Sequence, residues 1–345
     1  MRFLVTGGAG FVGSALVRLL LREAGREVLA VDKLTYAGSL ANLAEVASSP
    51  GYRFARADIG DGPAVAALLA EFAPDVVLNL AAESHVDRSI GGPGAFVGTN
   101  VVGAYVLLEE VRRYWSGLGP ERRESFRFVQ VSTDEVFGHL GETGRFDEAS
   151  PYAPRSPYAA TKAAADHLAL AWWHTFGLPV VVSRSSNNYG PRQYPEKLIP
   201  VAILAALHGR PVPVYGDGRN VRDWIHVGDH ARALLLVATR GRPGEGYNVG
   251  GGEERRNIDL VHAVCAIMDE LRPDSPHVPH AGLVRLVADR PGHDFRYATD
   301  PAKASRELGW RPEVPFDAGL RETVRWYLDN PGWWGPLRAR RSGGG

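Results

Sequence analysis

The chain has 345 residues, enough for one or two domains with a substantial core, and its 45% apolar and 23% charged residues are an ordinary globular balance. Lysine plus arginine equals aspartate plus glutamate at 39 each, which excludes a bulk field drawing the protein to nucleic acid or a membrane surface. A single cysteine, Cys265, excludes an intramolecular disulfide or a thiolate metal cluster, and no run reaches the ~18 apolar residues of a spanning helix.

In chain order, Phe3–Thr6 reads as a short apolar strand and Gly13–Glu23 as a helix with Leu16, Leu19 and Leu20 on one face. The run before the glycines is too short for a signal peptide, so a soluble, cytoplasmic protein is expected. Glu27–Asp32, Tyr52–Asp58 and Asp75–Leu80 read as strands, with a helix at Pro63–Phe72 between the last two. A helix over Val101–Arg112, a strand over Arg127–Ser132, a long helix over Tyr158–Phe176 and a strand over Pro179–Ser183 follow. Alternation of helices with uniformly apolar strands predicts an α/β fold, a doubly wound parallel sheet of Rossmann type.

After about Ser185 prolines and glycines become dense and the segments shorten, which predicts a smaller C-terminal α/β substrate domain over 186–335. Val227–Thr239 reads as a helix and Gly246–Val249 as a strand, and the stretch near 223–250 is expected to return to the first domain, 1–185. Cys265 sits in an apolar helical pattern, as a core residue would. Asp300 and Pro301 read as an N-cap and first helical residue, and 336–345 as a flexible tail.

Thr6-Gly7-Gly8-Ala9-Gly10-Phe11-Val12-Gly13 joins the first strand to the first helix. Gly7 permits the turn, Gly10 lets the backbone approach a pyrophosphate, and Gly13 lets helix and strand pack closely; the pyrophosphate then accepts from amides at the positive helix end. Asp32, at the end of the second strand, can bond both adenosine ribose hydroxyls and would repel a 2′-phosphate, which favours NAD over NADP. Lys33 beside it could accommodate a phosphate and works against that preference. Among 39 basic residues only Lys33, Lys162, Lys197 and Lys303 are lysine, which points to places where a compact ammonium is wanted.

Tyr158 and Lys162 are four apart and face one side of the long helix. An ammonium near a phenol favours the phenolate, and an oxidised nicotinamide would add to that. The tyrosine could then take a hydroxyl proton as hydride leaves its carbon. Fingerprint and Tyr/Lys pair together resemble the extended short-chain dehydrogenase/reductase superfamily, whose members work on sugar nucleotides. Val131-Ser132-Thr133-Asp134-Glu135-Val136-Phe137-Gly138 narrows the resemblance. Its Thr-Asp-Glu triplet is similar to that of the dTDP-glucose 4,6-dehydratases, where epimerases carry small residues in place of the acids. Asp32 to Gly38, Ala81 to Ser89, Asn187 to Pro191, Pro195 to Pro200 and Ala288 to Asp294 match as well, so the resemblance runs from residue 1 to about 335. Phe137 departs from it, since tyrosine is more usual there.

The resemblance implies that Glu135 removes the C5 proton of a 4-keto sugar and that Asp134, held protonated, gives a proton to the departing C6 hydroxyl. Two carboxyl groups are needed because hydroxide is a poor leaving group and the C5 hydrogen needs a base. Thr133 is expected to bond the C4 oxygen beside Tyr158. The implied cofactor set is Gly7, Gly10, Phe11, Val12, Gly13, Asp32, Lys33, Leu34 and Thr35, then Asp58, Ile59, Leu80, Ala81, Ala82, Glu83, Ser84 and Thr99, with Tyr158, Lys162 and Asn188. For the substrate, Arg222 and Arg290 suit the diphosphate, with Lys197, Asn187 and Asn257 beside them. Ser84, Thr133, Glu196, Leu198 and His293 complete the set, and Pro213, Val214 and Tyr215 are expected against the nucleobase.

The eleven histidines show no metal-ligand spacing, so no metal is expected. A two-fold homodimer is expected, through the helices at Val101–Arg112 and Tyr158–Phe176, the latter presenting Leu168, Trp172 and Trp173. UDP-glucose is the alternative substrate, because the same triplet serves both nucleotides. An epimerase, a decarboxylase or a silent sugar-nucleotide sensor are further alternatives; the intact acid pair argues against each.

Overall fold

The apolar runs pair into one parallel sheet in the computed structural model, which describes residues 1–342. The strands in chain order are β1 (Arg2–Thr6), β2 (Glu27–Val31), β3 (Tyr52–Ala55), β4 (Val76–Asn79), β5 (Arg127–Thr133), β6 (Val180–Ser185), β7 (Asn187–Tyr189), β8 (Val212–Tyr215), β9 (Val221–His226), β10 (Gly246–Val249), β11 (Glu254–Arg256) and β12 (Val284–Val287). Seven form the main sheet in the order β10-β6-β5-β4-β1-β2-β3, every pairing parallel. Helices cover both faces, so β4 and β6 are buried along their whole length. One face packs on Leu16 and Leu20 of helix Phe11–Leu20 and on Leu234 and Val237 of helix Val227–Arg240. The other packs on Leu69, Leu107, Val111 and Ala169.

Strand order reverses between β1 and β4, which opens a crevice at the carboxyl ends of these strands, where such sheets take ligands. Over that edge lie a three-stranded sheet, β11-β9-β7, and the parallel pair β12-β8. Their core contains Ile199, Val264, Cys265, Leu320, Val324 and Tyr327.

Several stretches differ from the sequence reading: the first helix runs Phe11–Leu20 rather than Gly13–Glu23, and the helix expected to be capped by Asp300 starts at Ala302 with Pro301 as its cap. The helix expected from Val101 begins as a π-helical segment, Val97–Gly103, before continuing as Ala104–Ser116. Asn100 in that segment accepts from the Glu83 amide at 2.8 Å and donates to the Glu83 carbonyl and to Thr161 Oγ1, bonds that a regular helix would misdirect. Strand β3 stops at Ala55 rather than Asp58, because the Asp58 carboxylate turns the chain by accepting from Gly60 N at 2.9 Å. The chain past 336, expected as a flexible tail, is helical over Pro331–Ser342, anchored by buried Trp334 and Leu337; Gly343, Gly344 and Gly345 lie outside the described residues.

Candidate active site

The glycine loop is shaped for close approach. Gly7 has φ +65°, and a Cβ there would lie 2.8 Å from the backbone of Leu80 and Ala81; a Cβ on Gly13 would lie 2.1 Å from Gly7 O. The first helical amides, on Phe11, Val12 and Gly13, have no acceptor within the helix, which suits an anionic pyrophosphate. Asp32 accepts from Ala9 N at 3.1 Å and Leu34 N at 2.8 Å, so loop and strand end aim its carboxylate together. Burial pushes its pKa up, while those two amides and Lys33 oppose the rise. Lys33 is already engaged: its Nζ donates to Asp58 Oδ2 at 3.3 Å and to Thr99 Oγ1 at 3.2 Å. A bare backbone cradle, open helix amides and an oriented carboxylate fit a dinucleotide with a free 2′-hydroxyl.

The same cleft brings together the expected cofactor and catalytic residues, except that Leu34 packs against the core. Ser84, Asn187, Glu196 and Lys197 also line it. Gln193, Tyr194, Ser185, Ser186 and His230 join them without any sequence signal that singled them out. His230, fully buried and held neutral with its pKa lowered to about 3, donates through Nδ1 to Asn188 Oδ1 at 2.8 Å. Asn188 in turn donates to Ser185 Oγ and Ser186 O, which fixes its amide orientation.

Tyr158 opens the helix Pro157–Phe176, which starts where Ser156 accepts from Ala159 N and ends on left-handed Gly177. The expectation that Lys162 draws the phenol toward phenolate is not what the protein's own groups produce. Lys162 Nζ donates to Val131 O at 2.6 Å. Burial lowers its pKa to about 8, against the pull of Asp166. The Tyr158 phenol is pushed up by burial and then by Glu135 and Asp134, with a Thr133 hydrogen bond opposing them. A positive ring beside it would be the missing counterweight.

Asp134 and Glu135 begin a 3₁₀ turn, Asp134–Phe137, at the carboxyl end of β5; Thr133 caps it by accepting from Glu135 N. Adjacent in sequence, they meet different surroundings. Asp134, 1% exposed, is raised well above the carboxylate range by burial, then by Glu135 and Asp223. Glu135 is also raised by burial, but three cations, Arg290, Arg222 and Lys197, oppose the rise. Both carboxyls are thus pushed toward the protonated form, Asp134 further than Glu135. Phe137, where a tyrosine was the usual residue, packs against Phe146 and Tyr152 with the Arg184 guanidinium over its ring.

The remaining substrate candidates surround the cleft at greater remove. Arg222 is buried, donates to the Asp294 carbonyl at 2.9 Å and stacks on Tyr297. Arg290 and Tyr215 both bond Asp87, at 3.3 and 3.1 Å. His293 is bonded to Asp289, and burial lowers its pKa to about 4, which keeps it neutral. Strand alternation separates the expected nucleobase wall: Pro213 and Tyr215 face outward, while Val214, with Leu198 against the same cluster, faces the core. Asn257 is buried at the start of helix Asn257–Leu271. Among the described residues no group of three His, Cys, Asp or Glu side chains is placed to hold a metal ion.

A family model described as GDP-mannose 4,6 dehydratase matches residues 4–323. A dTDP-glucose 4,6-dehydratase of Neisseria meningitidis serogroup B is 53% identical over 352 aligned positions, covering 100% of this chain and 99% of that one. A probable dTDP-glucose 4,6-dehydratase of Sinorhizobium fredii is 58% identical, over 98% and 96% of the two chains. A crystal structure of a dTDP-glucose 4,6-dehydratase from Streptomyces venezuelae with NAD bound superposes with a TM-score of 0.88 at 47% identity, covering 98% of this chain and 100% of that one. With an acid pair at the carboxyl edge of a dinucleotide-binding sheet and these likenesses along its whole length, the chain belongs to the nucleotide-sugar 4,6-dehydratase family, among the dTDP-glucose 4,6-dehydratases.

Proposed function

We propose that the protein converts dTDP-glucose to dTDP-4-keto-6-deoxyglucose. The observation that carries this reading is the placement of Asp134 and Glu135 side by side at the carboxyl end of β5, in one cleft with Thr133, Tyr158 and Lys162; burial raises both carboxyls, Asp134 the further. Tyr158 takes the C4 hydroxyl proton, and Thr133 holds the C4 oxygen in place. NAD, when bound, accepts the C4 hydride and returns it to C6, so it ends each cycle unchanged. Glu135 removes the C5 proton, which the 4-ketone has made acidic. Asp134 gives its proton to the C6 hydroxyl, which leaves as water, and Glu135 returns a proton to C5 as C6 is reduced. Arg222, Arg290 and Lys197 supply positive charge for a diphosphate.

The test has two parts. Mass spectrometry of products from dTDP-glucose and UDP-glucose in parallel is expected to show loss of water from the former in preference. Glu135→Gln is expected to oxidise C4 but not release the C5 proton, so enzyme-bound NADH builds up while turnover falls ~100- to 10,000-fold. Near-parent turnover by Glu135→Gln would remove the base assignment.

We also propose a cytoplasmic, two-fold homodimer, its one cysteine buried and unpaired as suits a reducing compartment. Val97, Val102, Tyr105 and Phe176 support the pairing surface by their exposure on and beside the two expected helices. Trp172, half-buried and bonded to Glu109 at 2.9 Å, packs edge-on against Tyr105 and Phe176 and so belongs to the same apolar patch, beside partly buried Leu168 and Trp173.

A further inference from the structure

Asp134 makes a contact that the acid role alone does not account for. Thr299, 165 residues further along the chain, places its hydroxyl 3.2 Å from Asp134 Oδ2. The other carboxyl oxygen, Oδ1, is hydrogen-bonded to Thr133 Oγ1 at 3.3 Å, and once Thr133 gives its one hydroxyl hydrogen to the C4 oxygen it can only accept from Oδ1, whereas Thr299 has no such second acceptor to serve. Thr299 is 1% exposed, and its position is clamped by backbone bonds on either side: Phe146 N donates to Ala298 O and Asp300 N to Phe146 O, both at 2.8 Å. Its own amide eases the charge on Asp223, a second buried carboxyl group.

A carboxylic acid has one O–H and one bare acceptor oxygen, so a hydroxyl that donates to one oxygen leaves the proton for the other. We propose that Thr299 is a positioning residue for the dehydration step: its hydroxyl claims Oδ2 of Asp134, so that the transferable proton rides on Oδ1, facing the substrate. A proton on Oδ2 would point into the core and could not reach C6. Once the proton has gone, the same hydroxyl donates to the carboxylate left behind. This rests on Asp134 being the C6 acid. The charged and titratable groups facing Asp134 are Glu135 on its own turn, Arg222 and Asp223 from β9, and the phenol of Tyr158 from its helix.

Thr299→Val keeps the shape and removes only the hydroxyl, with Thr299→Ser as the conservative control. With the protein as purified, carrying its cofactor, Thr299→Val is expected to lower kcat about 10- to 100-fold, the worth of a hydrogen bond to a charged group. KM for dTDP-glucose should change less than about twofold. Bound NADH should accumulate in turnover, because C4 oxidation still proceeds. The limb of the kcat profile where activity falls with rising pH should move to higher pH, since losing a donor to the carboxylate makes Asp134 a weaker acid. Thr299→Ser should restore most of the rate. An unchanged kcat, a serine variant no better than valine, or a valine variant that cannot oxidise C4 overturns the inference. Asp134→Asn runs alongside: if it fails to accumulate NADH, the acid reading falls and this inference with it. If it accumulates NADH and Thr299→Val does not, only the role of Thr299 falls.

Discussion

Beneath the catalytic helix, Arg184 of β6 donates through Nε to Asp166 Oδ2 at 3.1 Å, and the Tyr152 hydroxyl donates to the same oxygen at 3.0 Å. Both charged side chains are almost wholly out of water, at 4% and 0% exposure. Asp166 sits one helical turn beyond Lys162 and favours its ammonium, so the pair underpins the site electrostatically as well as mechanically. Arg184→Met keeps the aliphatic stem but leaves Asp166 with a single neutral donor. Removing one partner of a buried pair costs about 3–5 kcal/mol. At about 2.1 cal/mol/K per residue, a chain of this length unfolds with an entropy of roughly 0.7 kcal/mol/K, so the melting midpoint should fall by roughly 4–7 °C. Replacing both groups, in Arg184→Met with Asp166→Leu, removes the stranded charge and should bring the midpoint back to within about 2 °C of the parent. Differential scanning calorimetry at saturating NAD holds the ligand contribution equal across the variants. A single variant melting within about 1 °C of the parent, or a double variant as labile as the single, would refute the argument that an unpaired buried charge sets this cost.

Lys162, with its pKa lowered from 10.5 to about 8 by burial, should make stability depend on pH in a defined window. Its charged form is disfavoured in the folded state, a penalty of about 3 kcal/mol that is complete below pH 8 and fades as pH rises through 10.5, above which both states are neutral. Against Lys162→Met, the parent should therefore gain stability between those limits; denaturant midpoints at pH 7.5 and 10 that keep a constant difference would contradict this. For assembly, light scattering at micromolar concentration should give twice the chain mass, and Tyr105→Glu should shift it toward monomer; a parent that is monomeric throughout removes the dimer.

The main sheet was legible because its strands are continuous apolar runs, and continuity is what burial on both faces requires. β10 could be placed at Gly246–Val249, and the catalytic helix within a residue of its start, because a serine cap and a terminal glycine bracket it. The small sheets were not legible: β7 and β11 have three residues each, too few to show a period. At the site, Gly7, Asp32 and Tyr158 announce themselves by local spacing, while the acid pair stands out only through the resemblance of the Thr133-Asp134-Glu135 run. Thr299, Asp223 and His230 do not, since each acts through a contact made only when distant segments fold together. The anchoring of Lys162 on Val131 was hidden for a related reason. Helical spacing gives the face of the helix, but not which of several acceptors on that face the ammonium finds.

The return of β10 to the main sheet has a consequence during synthesis. There the strand pairs with β6 at the edge of the sheet, and about 60 residues, those of β7 to β9 and the helix Val227–Arg240, separate the two in the chain. At 5–20 residues per second, a growing chain carries β6 as an open edge for roughly 3–12 s before the strand that covers it can exist. Open edges of apolar strands are templates for pairing with other chains. On a polysome, where nascent copies stand close together, that interval is when this protein is most exposed to mispairing, and elongation through residues 186–245 sets how long it lasts.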